Sequence, residues 1–217
     1  MPKGFIFILI VVGFFFVLVG IVSKAFLIIG LSLIVLGLYF ALEPDSILRK
    51  DQVIDTWSSL IEKGQGSATA VAKDVEAYIV ESKAPGIKIE NKEIAPGIIT
   101  GLMGNKRDFL VVRDESNYKL EPYQLYLNAR DYGDNLDVSW YLTFKPSMLQ
   151  SLISIIPFVS VVQFTVNDLN IFDQQDLRAY GTNAHHCVLK AVDKLVLNLG
   201  QDPNKLQRMS RGFLGIS

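Results

Sequence analysis

Two unbroken apolar runs open the chain. Residues 4–22 read GFIFILIVVGFFFVLVGIV and residues 25–41 read AFLIIGLSLIVLGLYFA, neither with a charge, and only Ser23 and Lys24 separate them. Roughly 20 apolar residues cross the hydrocarbon core of a bilayer as a helix, and an open strand edge cannot sit in lipid. The pattern predicts a transmembrane helical hairpin over residues 1–42. A cleaved signal core is shorter, ~7–15 residues. With the turn at positions 23 and 24, facing residues have numbers that sum to 47. Gly30 then lies opposite Val17, and Gly37 opposite Ile10. Small residues let membrane helices approach closely, so Gly13, Gly20, Gly30 and Gly37 are the expected packing seam. The run Phe14-Phe15-Phe16 is left facing lipid or a partner.

Beyond the hairpin the periodicity changes several times. Glu43-Pro44-Asp45-Ser46 has the composition of a helix start. Ile47, Val53, Ile54, Trp57, Leu60 and Ile61 follow at helical spacing, and Lys63-Gly64-Gln65-Gly66 reads as a flexible break. Residues 43–66 are therefore expected to be a juxtamembrane helix and hinge. Ser67 opens a second helix with Val71, Val75, Tyr78 and Ile79 on one face, closed by Ala84-Pro85-Gly86. Strict alternation then takes over: Ile87 and Ile89; 109–114; 123–130; 136–144. Period two implies an antiparallel sheet with one covered and one wet face, and residues 131–135 make a hairpin loop.

Residues 146–167 carry no charge. The reading preferred for them is a short apolar helix to Ile156, a turn at Pro157 and a strand with Val162, Phe164 and Val166; a third span or a helix resting on the membrane are the alternatives. Asp173-Gln174-Gln175-Asp176 starts a last helix to about Leu199. Its stripe of Leu177, Tyr180, Ala184, Val188, Ala191, Leu195 and Leu199 covers the sheet. The expected fold class is α+β: a two-helix transmembrane hairpin, then a two-layer antiparallel sheet domain (67–200) covered by helices that include the long C-terminal one.

Composition narrows the function classes. The net charge is −1 over 217 residues, so no global field points to nucleic acid. The single cysteine, Cys187, excludes an internal disulfide. Lys3, Arg49 and Lys50 flank the open end of the hairpin and Lys24 its turn, so the positive-inside rule puts both termini and the domain in the cytoplasm. Lys205, Arg208 and Arg211, interleaved with Leu206, Met209, Phe213 and Leu214, give the tail (201–217) the pattern of a basic amphipathic segment that meets an anionic membrane surface.

Candidate chemistry is sparse. His185-His186-Cys187 suggests a nucleophile or a metal site. At 100° per residue, however, His186 points away from the helix stripe, and His185 and Cys187 fall on its opposite borders. Structural packing is the expectation for both. The stretch Gly97-Ile-Ile-Thr-Gly101-Leu-Met-Gly104-Asn105-Lys106-Arg107 lacks the Gly-Lys-Ser/Thr of a phosphate loop and reads as a β-turn. Asp168, Asp173 and Asp176 are better helix-start residues than cation ligands. No catalytic, metal or cofactor site is expected. The leading function is a membrane-anchored, non-enzymatic protein presenting the α+β domain to a protein partner. The alternative is a lipid or apolar-ligand domain with a cavity lined by Trp140, Phe144 and Phe164; a membrane-anchored enzyme comes third.

Overall fold

The computed structural model describes residues 3–19, 24–41, 48, 50–95, 106–145 and 169–212. It divides into two compact units.

The first unit holds two helices, α1 (Lys3–Val19) and α2 (Lys24–Ala41), packed antiparallel along a glycine seam. A methyl group on Gly13 would meet Ile34 Cγ1 at 2.8 Å and the Gly30 carbonyl at 2.9 Å. One on Gly30 would meet the Gly13 carbonyl at 2.6 Å and Val17 Cγ2 at 2.7 Å, and one on Gly37 would meet Ile10 Cγ1 at 2.7 Å. No larger residue fits without parting the backbones. Gly20 lies outside the described residues. Of the phenylalanine run, Phe14 and Phe15 point outward at 58% and 62% exposure. Phe16 instead stacks on Phe26, with ring centroids 5.7 Å apart. At 1.5 Å per residue the two helices are about 25 and 27 Å long. Among the described residues, no helix is long and apolar enough to cross a membrane.

The second unit is an α+β domain built on a five-stranded antiparallel sheet: β1 (Val53–Ile61), β2 (Ile87–Ile94), β3 (Arg107–Asp114), β4 (Tyr123–Tyr132) and β5 (Asn135–Phe144), in the order β1-β5-β4-β3-β2. The helices are α3 (Ala68–Glu81) and α4 (Ile171–Asn198). The helix expected in 43–66 is overturned by β1. Its apolar residues match helical spacing, but Asp55, Trp57 and Ile61, an alternating set, are the ones buried. Pairing with β5, which sets Trp57 beside Trp140, decides the conformation. The expected hinge is also docked rather than free: Gln65 N–H donates to the Asp134 carbonyl at 3.3 Å and Gly66 N–H to Asp131 Oδ1 at 3.0 Å.

One face of the sheet packs on α3 and α4 and holds the main core, including Trp57, Leu125, Leu127, Val138, Trp140 and Leu142. Tyr180 of α4 sends its hydroxyl into the sheet. It donates to the Val112 carbonyl at 2.7 Å and accepts the Leu125 N–H at 3.1 Å, bridging β3 and β4 where Val112 and Leu125 pair. Burial drives the Tyr180 phenol far above its usual range.

The opposite face is not the wet surface that alternation predicts. Phe109, Val111, Tyr126 and Ile94 are buried there as a second cluster with Leu48 and Tyr141 beside them. Its polar members are satisfied locally: Tyr126 OH donates to Gln124 Oε1 at 2.6 Å, Asn128 Nδ2 to the Asp108 carbonyl at 2.6 Å, and Thr143 Oγ1 to the Gln124 carbonyl at 3.1 Å.

Candidate functional site

A buried polar arrangement of the domain surrounds His185. Midway along α4 the helix stripe brings this residue against the sheet at the β1–β5 pair, where its ring is fully buried. Trp57 and Trp140 meet it edge-on, with centroids 5.5 and 5.6 Å away. Trp140 Nε1–H donates to Nδ1 at 3.0 Å. An indole nitrogen only donates, so Nδ1 is bare and the ring proton sits on Nε2, which donates to the Arg208 carbonyl at 2.6 Å. Burial holds the imidazole pKa below its ordinary value; the Arg208 carbonyl opposes this shift, His186 reinforces it, and Asp55 opposes it.

The same pocket anchors the tail. Trp57 Nε1–H donates to the Gln207 carbonyl at 2.6 Å, and Arg211 N–H donates to the Thr56 carbonyl at 2.8 Å. Leu206 packs on the main core. Gly212 lies so close to Asp55 that any Cβ there would overlap it. The segment from Leu206 to Gly212 thus runs along the outer edge of β1 and is held by its own carbonyls and amides. Apart from a 3-10 turn, Pro203–Lys205, the described residues of the tail are not helical. Main-chain groups bonded to Trp57, His185 and Thr56 hold the segment in place.

Lys205, Arg208 and Arg211 all have exposed side chains on this strap. The Arg208 guanidinium pairs with Asp193 at 3.0 Å, a surface pair worth under about 1 kcal/mol. Of the residues expected to line a cavity, Trp140 is fully buried with its indole engaged by His185. Phe144 is half-buried against Tyr123 at 5.1 Å, and Phe164 lies outside the described residues. A groove of about 730 Å³ lies elsewhere, on the outer side of α4, with Tyr78, His186, Leu197 and Arg208 among its lining residues.

His186 is exposed on that outer side, while Cys187 is buried and burial pushes its thiol pKa up. A raised thiol is a poor nucleophile, and both nitrogens of His185 are committed to bonds. Among the described residues no cluster of three or more His, Cys, Asp or Glu could hold a metal ion. Asp173 bonds Lys119 at 2.8 Å and Asn117 at 3.0 Å. Those two partners, Lys119 first, hold its carboxyl below the usual range. Asp176 is exposed on α4, and Asp168 and 97–105 lie outside the described residues. Sequence reasoning places Trp57 and Tyr180 only as packing residues and does not single out Gln207 or Gly212. A tail that binds through main-chain atoms leaves no side-chain signal.

No family model matches the chain, and no match is found among curated proteins or solved structures.

Proposed function

We propose that the chain is a membrane-anchored, non-enzymatic protein whose helical hairpin holds the α+β domain at a bilayer for a protein partner. The observation that carries this reading is the hairpin's outer surface. Phe14, Phe15, Leu18, Ile28 and Val35 are 58–65% exposed on two helices with no charge between residues 4–22 and 25–41. In water each such side chain costs about 1–2 kcal/mol relative to an apolar surrounding. The glycine seam already satisfies the inner faces, so the outer faces need a different apolar contact, and lipid supplies one on all sides. The helix lengths fall a few Å short of a ~30 Å hydrocarbon core, a mismatch that bilayers absorb by local thinning. Lys3, Arg49 and Lys50 favour the cytoplasmic side for the domain.

The non-enzymatic part rests on the commitment of His185 and Cys187 to packing. The lipid-ligand alternative draws no support from Trp140, whose indole is in contact with His185 and Trp57 rather than with a void. The test is membrane fractionation of the full chain followed by alkaline carbonate extraction. Retention in the membrane pellet, lost when Phe15, Leu18, Ile28 and Val35 are replaced together by serine, is the expected result. Release of the parent chain by carbonate overturns the anchor.

A further inference from the structure

We propose that residues 206–212 form an acid-released latch on the β1 edge, and that the His185 imidazole is the group that releases it. This device belongs to the domain alone and does not depend on where the hairpin lies. The latch has few fastenings: the Trp57–Gln207, His185–Arg208 and Arg211–Thr56 hydrogen bonds, the packing of Leu206, and the Arg208–Asp193 surface pair. The other walls of the His185 site are heavier. Trp57 and Trp140 are buried members of the main core, and α4 is bound into the same core from Leu177 to Val196. Local opening follows the fewest buried contacts, so the strap is the wall that yields first. The movement stops before it, because Gln201 Nε2 donates to the Glu62 carbonyl at 2.7 Å and holds the preceding residues to the end of β1.

A proton supplies the reason to open. In the closed site Nδ1 accepts the Trp140 N–H and Nε2 donates to the Arg208 carbonyl. A second ring proton would set donor against donor at Nδ1, and its charge would be buried. The charged groups that face the ring divide. Asp55 on β1 favours the imidazolium, while His186 on α4 and Arg208 on the strap, itself paired with Asp193, disfavour it; β5 faces the ring with the uncharged Trp140. Burial outweighs Asp55, so the closed site takes up a proton less readily than a histidine in water. With the strap lifted, the Nε2 side of the ring meets water and accepts the proton near the ordinary value of about 6.5. Proton uptake and release of the strap are thereby linked, and acid shifts the population toward the open form.

Release changes the edge of the sheet. β1 closes one side of it, and Arg211 N–H donates to the Thr56 carbonyl there as a neighbouring strand would. Farther along the same strand Ser58 and Leu60 are already exposed. Lifting the strap joins Thr56 to that stretch and lengthens the bare edge.

The test is amide hydrogen exchange of the full chain in detergent, with each rate divided by the intrinsic rate at its pH. Protection at Arg211 should fall severalfold from about pH 7.5 to about pH 5.5, to a ceiling of about tenfold set by a group that titrates near 6.5 only when the strap is open. Addition of about 1 M urea should speed exchange at Arg211 far less than at Val75 of α3, because a local opening exposes little surface. His185→Gln keeps a donor and an acceptor in place of the ring and should show no pH response, whatever its level of protection. His186→Gln should keep the response of the parent. A change at Arg211 of less than about twofold over this range, short of the linkage, overturns the proposal. So does a urea dependence as steep at Arg211 as at Val75, which marks global unfolding. A response that persists in His185→Gln or vanishes in His186→Gln overturns the assignment to His185.

Discussion

The Trp140 indole N–H points at Nδ1 of His185 from 3.0 Å and so dictates which nitrogen of that ring carries the proton. A second proton on the ring would face the indole N–H donor to donor. The unfolded chain therefore binds this proton more readily than the folded one. Stability from His185 is fully present above the unfolded histidine pKa of about 6.5 and is lost as pH falls below it toward the depressed folded pKa. Denaturant midpoints of the detergent-solubilised chain, read from the fluorescence of Trp57 and Trp140, should decline on acidification through that window. His185→Gln should flatten the dependence. A parent chain with a flat profile would refute it.

Replacing His185 by Ala strands the Trp140 N–H and the Arg208 carbonyl and opens a cavity. The expected loss is about 3 kcal/mol, measured by urea unfolding at neutral pH, with faster hydrogen exchange in 206–212 as the local signature.

Gly212→Ala tests the strap in isolation. The added methyl overlaps Asp55, so the segment must lift from β1 and release the Arg211–Thr56 bond. A loss of about 1–2 kcal/mol is expected, with exchange rising at Arg211 but not in α3. Unchanged exchange at Arg211 would show that the segment accommodates the methyl in place.

Tyr180→Phe removes one hydroxyl and leaves both the Val112 carbonyl and the Leu125 N–H without a partner in the core. About 2–3 kcal/mol should be lost, and the chevron of the variant in detergent would show whether the bridge forms before or after the folding barrier.

In the hairpin, Gly30→Leu drives a side chain into the Gly13 carbonyl and Val17. Cross-linking by a bifunctional thiol reagent between cysteines at positions 16 and 26, whose rings are in contact across the two helices, should fall severalfold in this variant. Equal yields would mean that the helices do not depend on close approach at Gly30.

Much of this architecture is legible in the sequence wherever one element answers to one period. The Val71, Val75, Ile79 face of α3 and the buried Leu177, Tyr180, Ala184, Val188 and Ala191 of the α4 stripe follow from spacing, as do the alternating strands β2 to β5. The failures share a cause. In β1, Val53, Ile54, Trp57, Leu60 and Ile61 satisfy a helical template equally well, and only a partner some eighty residues away makes a strand of them. The second sheet face reads as solvated because Gln124, Asn128, Ser139 and Thr143 are polar, yet all four are buried, with Gln124, Asn128 and Thr143 hydrogen-bonded around Tyr126. The docking of the strap leaves no trace in the side-chain pattern, because its holds are carbonyls and amides that every residue possesses.

The bond between the Trp57 indole and the Gln207 carbonyl joins positions 150 residues apart. During synthesis β1 emerges early, and neither its partner β5 nor the strap on its outer edge yet exists. Pairings of such long sequence separation form late and slowly. A nascent β1 edge therefore waits, exposed to chaperones and to neighbouring chains, until the last residues of the strap have left the ribosome.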